Sequence, residues 1–109
     1  MTIRQKRVRF TQLLAKLIEY AGLLGYEVAI KFVYRCPDCS VGKKNSLHKR
    51  SLAADIDLYI NGKYRREGKA HIPLQDFWEA NGGNKRLEWD MNHYAYTGAN
   101  DEMVHKAGE

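Results

Sequence analysis

The sequence predicts an α+β domain in which helices pack on a small, mainly antiparallel sheet. Three observations predict it: an apolar repeat with helical spacing, two stretches rich in β-branched and aromatic residues, and an Asn-Gly hairpin signal. Helix, strand, hairpin, helix and strands follow one another, an order typical of α+β proteins. With 109 residues and a hydrophobic fraction of 44%, the chain suits one folded domain over residues 1–109.

The first predicted element is one amphipathic helix of about four turns. Its apolar residues recur at steps of three and four, with polar residues between them: Phe10, Leu13, Leu14, Leu17, Ile18, Ala21 and Leu24. Gly25 favours a stop after it, because glycine accepts the left-handed conformation that ends many helices. We expect this helix to be scaffold that packs on the sheet.

Two strands and a hairpin are predicted next. Residues 28–34 and 51–60 have the β-branched and aromatic composition of strands. Asn61-Gly62 is the strongest short hairpin signal, so residues 63–66 are expected to form the return strand.

The polar stretch 36–46 between these strands is predicted to be a loop and holds both cysteines, Cys36 and Cys39. A four-cysteine zinc site needs a second pair, and a thioredoxin-like redox site needs the pair to open a helix. A turn, reduced or disulfide-linked, is therefore expected, and a redox or metal role is the alternative.

The last third of the chain predicts a short helix and two short strands. Pro73 opens the helix Pro73–Ala80, since proline is tolerated at the first helical position, and Asn-Gly-Gly at 81–83 closes it. Strands are predicted at 86–89 and 93–96. The polar residues from Ala99 onward are expected to be loose.

The net charge of +5 and the pI of about 9.3 suit a polyanionic partner, whether nucleic acid, anionic lipid or cell-wall polymer. No helix-turn-helix, zinc-finger or RNA-binding pattern supports specific nucleic-acid binding. No apolar run approaches the roughly 20 residues of a membrane-spanning helix. Gln12, Lys16 and Glu19 interrupt the apolar stretch after the basic N-terminus, so no cleaved export signal is expected.

The residues that are hardest to explain as packing are His48, Asp55, Asp90 and His93. A catalytic zinc site needs three protein ligands and an open position for water. His48, Asp55 and His93 would supply the ligands. Asp90 lies three residues before His93, close enough at a turn or strand end to act as the base for a metal-activated water.

Alternatives exist for two of these roles. Asp57 rivals Asp55 as a ligand, because side chains two residues apart share one face of a strand. The small Ala53 leaves room beside Asp55 and favours it. Glu88 rivals Asp90 as the base.

The remaining histidines and the tryptophans are given structural roles. His71 and His105 lack neighbours suited to metal binding and are expected to be exposed to solvent. Trp78 and Trp89 are expected in the core or in the wall of a cleft. His48 lies in a basic stretch, and taken alone it would be interpreted as a surface residue. Its predicted ligand role depends on its occurrence together with Asp55, Asp90 and His93.

The spacing resembles that of a known family: the zinc D-Ala-D-Ala carboxypeptidases, the vancomycin-resistance dipeptidases, and the phage endolysins that are L-alanyl-D-glutamate endopeptidases. The family pattern S-x-H-x-x-G-x-A-x-D, followed by an acidic residue, two others and a histidine, is matched by Ser46, His48, Ala53, Asp55, Asp90 and His93. The resemblance implies that His48, Asp55 and His93 bind zinc and that Asp90 is the general base. It also implies that Arg35 stabilises the carbonyl oxygen as it becomes an oxyanion.

The likeness extends from Phe10 to Tyr96 and is greatest to small endolysins, in stretches 13–17, 25–28, 45–48, 77–79 and 82–83. Three departures are visible. Ser51 replaces the family's glycine, residues 84–89 replace a longer Trp-Gly-rich stretch, and Cys36-Pro37-Asp38-Cys39 replaces a polar loop. The first two bear on the shape of the pocket and the third on the order of the loop.

The resemblance implies the hedgehog/DD-peptidase fold and a zinc metallopeptidase that cuts an L-alanyl-D-glutamate or D-Ala-D-Ala bond in the peptidoglycan stem peptide. Such an enzyme would be a monomer that waits in the cytoplasm of a phage's host until the membrane is opened. The peptide would be its partner, without specific nucleic acid or membrane. The alternative is a basic, non-catalytic module that binds cell wall or nucleic acid.

Overall fold

The α+β class is confirmed: helices lie against a four-stranded antiparallel sheet. The computed structural model describes residues 1–36 and 51–101. Its elements are α1 (Ile3–Leu23), β1 (Tyr26–Cys36), β2 (Ser51–Ile60), β3 (Lys63–Tyr64), a 3-10 turn (Gly68–His71), α2 (Ile72–Ala80) and β4 (His93–Tyr96). In the described part of the chain, neither helix has the length and apolar content needed to cross a membrane.

Helix α1 begins seven residues before Phe10, the first residue of the predicted repeat. Its start is fixed by a capping box in which Thr2 accepts a hydrogen bond from the Gln5 backbone and the Gln5 side chain bonds back to Thr2. Its predicted end is confirmed, since Gly25 follows with a φ of 81°.

Strand β2 is the centre of the sheet. It pairs with β1 along one edge, and its other edge is shared by β3 and β4. Asn61 and Gly62 both have positive φ, 55° and 76°, as the predicted tight hairpin requires. The return strand ends at Tyr64, two residues earlier than predicted.

The core lies between one face of the sheet and the two helices. From β2 it takes Ala54, Ile56 and Leu58, which are fully buried, and α1 contributes Leu13 and Leu17 to the same cluster. Trp78 of α2 is also fully buried, which confirms its predicted place. Its indole packs edge-on against two aromatic rings and donates to the Ala95 carbonyl at 2.8 Å.

The strand predicted at 86–89 is wrong. The backbone amide and the guanidinium of Arg86 both donate to the Glu79 carboxylate, at 2.9 and 2.7 Å, and Arg86 also pairs with Asp76. These bonds tie the segment to α2. A strand would instead need backbone hydrogen bonds to a neighbouring strand.

The expected looseness from Ala99 is also wrong where the chain is described. Residues 99–101 are helical, and Asp101 is only 3% exposed. Its carboxylate accepts hydrogen bonds from Arg9 at 2.8 Å and from the Tyr96 hydroxyl at 2.6 Å, so burial is compensated by charge and hydrogen bonding. Residues 102–109, with His105, lie outside the described residues.

His71 is buried, contrary to the prediction. It is 3% exposed, and its Nδ1 atom lies 2.7 Å from the Tyr94 hydroxyl. The residue closes the 3-10 turn before α2, which places the ring over β4. Trp89, in contrast, is 83% exposed, so it is not in the core.

Candidate metal centre

Asp55, Asp90 and His93 meet at one end of the sheet. Each can direct one ligand atom to a common point, with all three atoms within 4.8 Å of one another. They are three of the four residues assigned to zinc chemistry from the sequence. The fourth, His48, lies outside the described residues.

Strand pairing brings Asp55 and His93 together. They are directly opposite in the β2–β4 ladder, and their side chains therefore project from the same face. Asp55 Oδ1 lies 2.9 Å from His93 Nδ1. The imidazole is buried, whereas the carboxylate remains partly accessible from solvent.

A turn brings Asp90 to the same place. The His93 amide donates to the Asp90 carbonyl at 3.0 Å, so the acidic-x-x-His spacing corresponds to one closed turn. This is why two residues three apart can serve one site.

The turn is held from both sides. The Ile56 amide of β2 donates to the Asn92 carbonyl at 2.9 Å. From α2, the buried Gln75 amide donates to the carbonyls of Met91 and His93, at 2.8 and 3.0 Å. The role of Gln75 was missed from the sequence, because a glutamine in a helix carries no signal of a partner 16 residues away.

The electrostatics of the group favour a cation. Asp55 and Asp90 place two carboxylates close together, and like charges at this distance repel. Within residues 1–36 and 51–101, no lysine or arginine forms an ion pair with either one, and Asp55 pairs only with His93. A divalent ion would neutralise both charges at once.

Tyr34 of β1 also reaches the group. Its hydroxyl lies 3.1 Å from His93 Nδ1 and 3.3 and 3.4 Å from the two Asp55 oxygens. Burial raises the pKa of Tyr34, and the charges of Asp55 and Asp90 raise it further. The phenol is therefore protonated at neutral pH and is available as a hydrogen-bond donor.

A β-bulge determines that Tyr34, not Arg35, faces the group. The β1–β2 register shifts by one residue between Ile30 and Phe32, after which Tyr34 is opposite Ala53 and Arg35 is opposite Leu52. Leu52 packs on the core side, away from the Asp55 face. Arg35 was assigned to the site by the family resemblance, and a bulge that changes which residue faces the site cannot be recognised in a continuous strand pattern.

The two rival residues lie elsewhere. Asp57 is on the same face of β2 as Asp55 but outside the three-residue group, and its charge acts on His71 instead. Glu88 lines a neighbouring cavity of about 230 Å³. Arg66, Trp89 and Asp90 line it too, so this cavity adjoins the candidate metal centre.

The donor set fits zinc, which binds imidazole nitrogen and carboxylate oxygen in catalytic sites. A zinc ion held by three protein ligands would keep its fourth position open for water. Comparisons of the chain with protein-family models, with curated proteins and with solved structures found no match.

Proposed function

We propose that the chain is a zinc metallopeptidase that hydrolyses a peptide bond in the stem peptide of peptidoglycan. The observation that carries this proposal is the convergence of Asp55, Asp90 and His93 within 4.8 Å. These residues come from two motifs that are far apart in the sequence. Their spacing also resembles that of the zinc D-Ala-D-Ala carboxypeptidases and related endolysins.

In this proposal His48, Asp55 and His93 hold the zinc ion. When bound, zinc lowers the pKa of a water molecule and polarises the substrate carbonyl. Asp90 accepts the proton of the attacking water and then delivers it to the leaving amine. The exposure of the Asp90 residue supports this role, because the turn that holds its backbone leaves it open to solvent.

The centre adjoins a cavity that suits a peptide and is lined by the carboxylates of Glu88 and Asp90 as well as by cationic and aromatic side chains. The cavity beside Asp90 contributes Arg66 and the exposed indole of Trp89, and the whole chain carries a net charge of +5. A peptide that extends from the metal centre into this cavity would meet both a cation and an aromatic surface. We further propose that the enzyme acts after release from a host cytoplasm, as endolysins do.

The test is digestion of purified peptidoglycan, with the released peptides identified by mass spectrometry and the zinc content of the protein measured in parallel. Asp90→Asn keeps the shape of the side chain and removes the base. We expect it to lower kcat by about 10²–10⁴-fold, with zinc still bound. A chelator should abolish release in the wild type.

Asp76→Asn is the matched control, since Asp76 is a surface carboxylate of α2 that pairs with Arg86. It should digest peptidoglycan like the wild type. Release that survives both the chelator and Asp90→Asn would contradict the proposal. Zinc binding without any release would instead favour a non-catalytic cell-wall module, and the peptide masses would identify the bond that is cut.

A further inference from the structure

We infer that the Tyr34 hydroxyl is a catalytic group that donates a hydrogen bond to the scissile carbonyl oxygen as that oxygen becomes negative. The inference rests on the proposed peptidase function and assigns the oxyanion-stabilising donor within it. The resemblance to zinc peptidases gives this role to Arg35. The geometry of β1 favours its neighbour.

The position of the hydroxyl is the first reason. It lies 3.1 Å from His93 Nδ1 and 3.3 Å from Asp55 Oδ1, so it borders the space between two candidate ligand atoms. His93 is only 3% exposed, whereas Tyr34 is 38% exposed. Tyr34 therefore connects the buried part of the centre to the solvent side, from which a substrate must approach.

The face of the strand is the second reason. Tyr34 is opposite Ala53 and thus on the Asp55 face, while Arg35 is opposite Leu52 on the other face. The neighbours of Tyr34 across the sheet are small, since it is opposite Ala53 and Ala53 is in turn opposite Ala95.

The proposed step needs a hydrogen-bond donor to the carbonyl oxygen. It needs no proton transfer from the tyrosine. The water oxygen bonds to the carbonyl carbon, Asp90 takes the water's proton, and the carbonyl π pair moves onto the oxygen. Tyr34 stabilises that charge through its O–H and keeps its proton. The pair then returns, the carbon–nitrogen bond breaks, and the amine leaves with the proton held by Asp90.

The experiment compares Tyr34→Phe with a control, Tyr59→Phe. Tyr59 lies on the same face of β2 as Asp55 and packs against Tyr64. Three quantities are measured: kcat and KM on a synthetic stem peptide, zinc affinity by chelator competition, and calorimetric binding of a phosphinate analogue of the peptide. For Tyr34→Phe we expect kcat to fall about 10²–10³-fold, with a comparable loss of phosphinate affinity. Zinc affinity should stay within about twofold, and Tyr59→Phe should match the wild type.

The alternative role is that Tyr34 only positions Asp55 and His93. In that case Tyr34→Phe would weaken zinc binding, and the zinc-saturated variant would recover the wild-type kcat, which would overturn the inference. It would also be overturned if Arg35→Gln lost as much kcat and phosphinate affinity as Tyr34→Phe. If the wild type cleaves the peptide and Tyr34→Phe cleaves it equally well, this inference alone is rejected. If the zinc-loaded wild type cleaves nothing, the proposed function is rejected as well.

Discussion

Gln75 illustrates how a single buried amide can organise the candidate metal centre. Its nitrogen donates to the carbonyls of Met91 and His93, while its buried Oε1 atom has no hydrogen-bond partner among residues 1–36 and 51–101. An unsatisfied buried acceptor costs about 1–3 kcal/mol. The two hydrogen bonds that the amide nitrogen donates offset this cost. They also fix the turn that carries Asp90 and His93.

Replacement of Gln75 by methionine should therefore affect the metal centre more than the fold. Both carbonyls of the turn lose their donor, and we expect zinc affinity to fall by about tenfold, as for other outer partners of metal ligands. Chelator competition measures this effect, and urea denaturation measures the accompanying loss of stability.

Asn100→Leu is the matched control, since Asn100 also donates from one amide to two carbonyls, those of Glu79 and Gly83. It lies at the other end of α2 and should lose stability without a change in zinc affinity. Equal zinc affinities in the two variants would show that Gln75 has no special relation to the centre.

At the scale of elements, the patterns that are periodic in the sequence were predictable. Strand β2 and strand β4 occupy the predicted ranges, 51–60 and 93–96. The segment 86–89 was not predictable, because side-chain bonds between Arg86 and α2 decide its path. The start of α1 was missed because its first turns have no apolar repeat, although the Thr-x-x-Gln pattern at 2–5 is a recognised signal.

The capping box makes a testable contribution to α1. Thr2→Ala removes the side chain that accepts from the Gln5 amide, and we expect the free energy of unfolding to fall by about 1 kcal/mol. Thr11→Ala is the control, since the Thr11 hydroxyl donates to the Arg7 carbonyl in the middle of the helix and does not cap its end. Urea denaturation should show a loss for Thr2→Ala alone, and equal midpoints would contradict the assignment of this cap.

At the scale of the whole molecule, buried polar groups link distant parts of the chain. Arg9 of α1 donates to Asp101 and to the Asn81 carbonyl, which joins the first helix to the end of α2 and to residues 99–101. The convergence of Asp55, Asp90 and His93 was predictable from motif spacing. The links through Arg9 were not, because no local pattern pairs residues 92 positions apart.

His71 makes stability depend on pH. Burial lowers its pKa below the ordinary 6.5, although the charges of Asp57 and Glu67 oppose this. The unfolded chain therefore takes up a proton more readily than the folded one, so the free energy of unfolding falls as the pH drops below about 6.5. The contribution is absent at higher pH, where His71 is neutral in both states.

His71→Gln should reduce this dependence, because glutamine retains a polar group near the Tyr94 hydroxyl but does not titrate. The measurement is the urea midpoint of wild type and variant at about pH 7 and about pH 5.5, with chelator present so that metal binding does not contribute. The wild type should lose more stability than the variant between these conditions. Parallel losses would mean that another group is responsible.

The extra residue in β1 has a consequence for the kind of chemistry available at the centre. Before the bulge Ile30 is opposite Ile56, and after it Phe32 is opposite Asp55. Without the bulge the earlier register would continue with Lys31 opposite Asp55, and Arg35 would then share the face of Asp55 while Tyr34 turned to the other side. The bulge in this edge strand thus selects between a neutral phenol and a permanent positive charge beside the candidate metal centre.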